Sequence, residues 1–122
     1  MKYTLLHHNH FVLDLEANMK FYEDALGLVE QRRLICDDGD RIIVFMGNDN
    51  AEMQVVLTWT VTRKEPYNHG VDRSHIAIHV NNVEESYARH KEMGITISEL
   101  KNKLYFIADP EGYRIEVLDE SL

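Results

Sequence analysis

Cysteine is nearly absent from this chain: Cys36 is the only one among 122 residues. A single thiol excludes an internal disulfide and any Cys-x-x-C zinc or redox motif. The acidic turn that follows it, Asp37-Asp38-Gly39-Asp40, also argues against a nucleophilic role. Basic charge is scarce too, with 13 lysines and arginines against 21 acidic residues and a net charge of −8. That balance speaks against nucleic acid and anionic membranes as partners. No apolar run approaches the roughly 18 residues of a membrane span. The N-terminus lacks the long apolar stretch of a secretion signal, so a reducing, cytoplasmic setting is the expectation. Prolines number only two and glycines six, which leaves little of the chain for low-complexity linkers. Hydrophobic residues make up 44% and charged residues 28%, the balance of one globular domain. Histidine is the residue in excess, with seven.

The order of periodicities suggests one unit written twice. An extended segment over residues 3–13 ends at Asp14, an N-cap residue. Leu15, Met19, Tyr22 and Leu26 then recur at helical spacing until Gly27 stops them. Three strands are expected over 29–36, 41–46 and 53–62, separated by runs rich in Asp, Asn and Gly. Residues 63–72 hold Pro66 and Gly70 and read as a linker. The order then restarts, with a strand over 74–80 and a helix capped by Asn82 and Glu85 that Gly94 ends. Strands over 96–100, 104–108 and 113–118 complete it, the last two joined by Asp109-Pro110-Glu111-Gly112. His7 precedes Gly27 by 20 residues and His75 precedes Gly94 by 19. The expectation is an α+β domain of two βαβββ modules, about 1–62 and 73–122. Each is too small to bury a core alone.

Strand alternation sorts the candidate residues. Ile76, Ile78 and Val80 belong against the helix, leaving His75, Ala77 and His79 on the other face. Ile115 and Val117 likewise leave Arg114 and Glu116 opposite, and Val55, Leu57 and Trp59 leave Gln54, Val56, Thr58 and Thr60. The first strand is ambiguous: His7, Asn9 and Phe11 alternate with His8, His10 and Val12. If Leu6 and Val12 face the helix, His7 joins His75 and Glu116 around a polar cavity. Two imidazoles and a carboxylate are the ligand types of a divalent metal site with open positions. His8, His10, His69, His79 and His90 are assigned no role, since a lone strand or helix histidine is usually a packed, satisfied residue.

His7, Asp14-Leu15, Phe21-Tyr22 and Ala25-Leu26-Gly27-Leu28 resemble the first module of the vicinal oxygen chelate superfamily, and most closely its glyoxalase I branch. Ser74-His75-Ile76-Ala77 and the run from Asp109 to Glu116 are similar to that family's second-module strand and C-terminal motif. The resemblance implies paired βαβββ modules forming a curved, barrel-like mixed sheet around one divalent cation. Nickel, zinc or cobalt leads, with manganese or iron as further options. It implies four ligands, of which three fall on His7, His75 and Glu116 and the fourth on Val56, which cannot ligate. It also implies Glu116 as the base of a proton transfer on a small α-oxo or α-hydroxycarbonyl substrate. Methylglyoxal joined to a thiol is one such substrate. Asn9, Phe11, Gln54, Val56 and Thr58 then line the substrate pocket. Glutathione-dependent members commonly carry an arginine where this chain has Phe11 and an asparagine where it has Thr60. Phenylalanine cannot fork a carboxylate, which argues against glutathione as the carrier. The resemblance further implies a homodimer, often with sites that draw His7 from one chain and His75 and Glu116 from the other; the linker over 63–72 is long enough for this or for sites within one chain. Two alternatives share these residues: a ligand-sequestering protein of the bleomycin-resistance type, and an iron enzyme similar to the extradiol dioxygenases.

Overall fold

The computed structural model describes residues 1–68 and 74–122, so positions 69–72 of the expected linker, with His69, lie outside the described residues. The chain divides into two compact units, Met1–Tyr67 and Asn68–Leu122. No helix of the described residues is long and apolar enough to cross a membrane.

In the first unit the order is β1 (His7–Phe11), α1 (Leu15–Leu26), β2 (Val29–Cys36), β3 (Arg41–Gly47) and β4 (Gln54–Thr60). Its sheet runs β1-β4-β3-β2, with β1 parallel to β4 and the other pairs antiparallel. The start of α1 is set by Asp14, whose carboxylate accepts the Ala17 N–H at 2.9 Å. Its end is set by Gly27, which takes the left-handed conformation at φ 66° that a side chain would disfavour. Leu15, Phe21, Tyr22 and Ala25 of the helix are buried, as are Val12, Val44, Met46 and Leu57. Burial of Val12 and His10 settles the ambiguity of the first strand. The His10 ring lies 6.2 Å from that of Tyr22 on α1, so His8, His10 and Val12 face the helix. His7, Asn9 and Phe11 point the other way. Strand β1 is shorter than the expected 3–13, because before His7 only the Leu6 carbonyl pairs, accepting the Gln54 N–H.

The second unit contains β5 (His75–Val80), α2 (Val83–Glu92), β6 (Leu104–Ala108) and β7 (Arg114–Asp119). Its sheet is ordered β5-β7-β6, with one parallel and one antiparallel pair. Asn82 caps α2 by accepting the Glu85 N–H, and its side-chain amide donates to the Glu85 carboxylate. Tyr105, Ile107, Ile115 and Val117 form the core beneath it. His90 is 2% exposed, and its Nδ1 lies 2.7 Å from the Tyr105 hydroxyl, which also meets Ser86 Oγ at 2.6 Å. Burial pushes the Tyr105 phenol above its usual range, with the Ser86 contact opposing. His90 is thus a packed core residue.

One expected element is missing. Residues 96–100 do not form a strand, and only isolated bridges join Thr96 to Ile107 and Lys101 to Leu104. The physical reason is local: Ser98 Oγ accepts the Phe106 N–H at 2.8 Å, capturing a donor that a backbone ladder would use. Asn102 and Lys103, both at positive φ, then turn the chain tightly into β6.

Candidate metal centre

The most specific motif of the sequence aims the last strand. Asp109, buried, accepts the N–H groups of Glu111 and Tyr113 on one carboxylate oxygen, each at 2.9 Å. Gly112 closes the turn at φ 81°, a backbone conformation that favours glycine. With this turn fixed, Ile115 and Val117 go to the core and Glu116 goes to the opposite face. Parallel pairing sets His75 beside Arg114 and Ala77 beside Glu116. On that shared face His75 Nε2 lies 3.7 Å from Glu116 Oε1, with the side chains 34% and 20% exposed. The His75 ring stands edge-on to Phe106, at 5.3 Å between centroids. The Arg114 guanidinium lies 5.2 Å from the same ring.

The first unit repeats this register residue for residue. His7 pairs with Gln54 and Asn9 with Val56, as His75 pairs with Arg114 and Ala77 with Glu116. Phe45 lies opposite Val56 on the antiparallel neighbour, as Phe106 lies opposite Glu116. The His7 ring stands edge-on to Phe45 at 5.7 Å, matching the pair of His75 and Phe106. Val56 therefore holds the position in its unit that Glu116 holds in the other. The two units carry the same histidine and phenylalanine on these faces but only one carboxylate.

The remaining pocket candidates are accounted for by their contacts. Thr58 donates to Asn9 Oδ1 at 2.6 Å, which ties β4 to β1 on the face of His7. Gln54 donates to Gln31 Oε1 at 2.7 Å, so its amide is drawn toward β2. Phe11 stacks on Tyr67 with ring centroids 5.5 Å apart. Val56 and Thr58 are both buried rather than open to solvent, so β4 is less polar and less accessible on this face than alternation alone suggests. His8 is held below its usual pKa, first by burial and then by the charges of His10 and His7. It lies on the helix side of β1 and is no part of the His7 face. Among the described residues no group of three or more His, Cys, Asp or Glu side chains is assembled around one point. The donor set that the structure does bring together is the imidazole and carboxylate pair of His75 and Glu116.

Phe45 and Phe106 escaped the sequence reading. Alternation contained the signal for Phe106, since Tyr105 and Ile107 are core residues and place it on the site face. For Phe45 the alternation of β3 is masked by burial on both faces.

Residues 4–117 match the Glyoxalase/Bleomycin resistance protein/Dioxygenase superfamily. The chain belongs to this superfamily. It is 27% identical to the lactoylglutathione lyase of Haemophilus influenzae, over 94% of this chain and 91% of that protein. Among solved structures it is similar to the trypanothione-dependent glyoxalase I of Leishmania major. That likeness has a TM-score of 0.87 and 30% identity, covering 98% of this chain and 88% of the other. A glyoxalase I mutant from Zea mays superposes with a TM-score of 0.81 at 27% identity, over 96% of this chain and 46% of that longer protein. The α+β architecture is thus that of the vicinal oxygen chelate fold, and the glyoxalase-like character of the chain is carried by these relatives together.

Proposed function

We propose that this superfamily member is a metal-dependent lyase of the glyoxalase I type, acting on a small α-oxo or α-hydroxycarbonyl compound such as a methylglyoxal–thiol adduct. The observation that carries this reading is the pair of His75 and Glu116 at 3.7 Å, with His7 at the register-equivalent place of the other unit. These three residues would hold a divalent cation, nickel, zinc or cobalt. When bound, it supplies Lewis acidity to two neighbouring substrate oxygens as negative charge develops on them. Glu116 is the base that removes the proton from the α-carbon and delivers it to the adjacent carbon, so the substrate isomerises with no net change in composition.

Elemental analysis of protein purified without added metal, with an assay on methylglyoxal and glutathione, tests the reading. Bound nickel, zinc or cobalt with turnover supports it. Bound iron without turnover points instead to dioxygenase-like chemistry, and a metal-free protein that still binds ligand points to sequestration.

The assembly we propose is a two-fold homodimer in which His7 of one chain completes the site of His75 and Glu116 of another. Support comes from the division of the ligands between two units, one with a lone histidine and one with a histidine and carboxylate. Two-fold symmetry then gives two equivalent sites per dimer. Mixing His7→Ala protein with Glu116→Ala protein under subunit exchange should restore metal binding to about a quarter of the sites, as random pairing of a two-fold dimer requires. No recovery despite demonstrated exchange would place all three ligands in one chain.

A further inference from the structure

Arg63, to which neither the fold nor the metal ligands assign a task, carries a positive charge fixed at the end of the His7 face. Its Nε donates to the Glu65 carbonyl at 2.7 Å and its Nη2 to the Pro66 carbonyl at 2.8 Å. Its guanidinium carbon lies 4.3 Å from the centroid of the Tyr67 ring. Tyr67 in turn stacks on Phe11, with ring planes inclined by 33°. Phe11 points to the same side of β1 as His7 and lies four residues along it. At about 3.3 Å per residue that is on the order of 13 Å from His7. Among the described residues no carboxylate pairs with Arg63, although the chain carries a net charge of −8.

A guanidinium has five N–H donors. The two carbonyls occupy the edge formed by Nε and Nη2. The outer edge, formed by Nη1 and the second N–H of Nη2, is left to fork a carboxylate bidentately. An exposed arginine normally loses much side-chain entropy when it takes hold of an anion. Here two backbone acceptors and an aromatic face have already ordered it. A local, oriented cation is also what an acidic chain needs to hold an anionic ligand against its overall field.

We propose that the Phe11–Tyr67–Arg63 stack is a carboxylate subsite that selects the thiol carrier of the substrate. Arg63 takes a carboxylate at the end of the carrier remote from the reacting carbons. Tyr67 and Phe11 cover the carrier's apolar stem. The ligand class is a thiol of small-peptide length with a free carboxylate. This extends the glyoxalase reading and rests on it for the identity of the ligand, while the subsite itself is tested by binding alone. Arg63 is a specificity residue in this arrangement, distant from the bond-making atoms.

The test compares two probes, S-methylglutathione and its diethyl ester, by calorimetric titration of the full chain. The wild-type protein should bind the acid at least tenfold more tightly than the ester. Arg63→Gln should remove that preference. Arg63→Lys should restore only part of it, because an ammonium keeps the charge but not the fork. Arg63→Gln combined with Phe11→Arg should recover it, since a guanidinium is then supplied from the base of the same stack. In the turnover assay the Arg63→Gln loss should fall on KM for the acid substrate. Equal affinity of the wild type for both probes, an unchanged preference in Arg63→Gln, or no binding of either probe would overturn the subsite. If the preference depends on Arg63 but no turnover of methylglyoxal is found, the subsite stands and the glyoxalase reading falls.

Discussion

Glu116→Gln should lose stoichiometric metal and reduce turnover by about 10²–10⁴, the usual contribution of a positioned acid–base group. Glutamine keeps the size and shape of the side chain but removes the charge that a divalent cation requires and the basic carboxylate that accepts the α-proton. His75→Ala should lose metal equally, because a site with three protein ligands does not hold an ion tightly on two. Neither substitution should unfold the chain. Both side chains are partly exposed, and an exposed pair at 3.7 Å contributes at most about 1 kcal/mol. Circular dichroism should therefore be unchanged while elemental analysis shows empty protein. Metal content that survives in both variants would remove the triad from consideration, whatever the activity.

Val56→Glu should have the largest effect on stability and the most informative response to metal. Val56 is 2% exposed and occupies the position equivalent to Glu116. A carboxylate placed there without a partner should cost about 3 kcal/mol, or on the order of 10 °C in Tm. Excess nickel or zinc should return most of that loss by mass action, because only the folded state offers the fourth ligand. The same variant should bind metal more tightly than the wild type and gain activity, having a second carboxylate to share the proton transfer. A variant that stays destabilised at saturating metal would show that position 56 does not look into the site.

Much of the helix and strand pattern was legible because its signals are local. Asp14 and Gly27 bracket α1, Asn82 and Glu85 open α2, and each does so through hydrogen bonds within a few residues of itself. The same is true of the turn from Asp109 to Gly112, which aims Glu116. Parity on β5 and β7 was legible because these strands carry clear alternation, with isoleucine and valine against the helix and polar groups away from it. Parity on β1 was not. Histidine is amphipathic, and His7, His8 and His10 offered either face the same composition. The strand expected over 96–100 failed for a related reason. Its residues are compatible with extended backbone, and the outcome turned on whether Ser98 or a partner carbonyl took the Phe106 N–H.

From the residues alone came two βα-type units, the placement of His75 and Glu116 on the polar faces of their strands, and the absence of a carboxylate at position 56. Short-range hydrogen bonding and side-chain alternation are encoded in adjacent residues, and these properties need nothing more. Tertiary structure decided which face of β1 His7 occupies, because burial of His10 and Val12 against α1 is a contact between distant segments. It decided the equivalence of Val56 and Glu116, which is a matter of strand register and not of composition. It also decided that Arg63, Tyr67 and Phe11 form one stack. Fifty-two residues separate Arg63 from Phe11 in the chain, and no periodicity spans that distance.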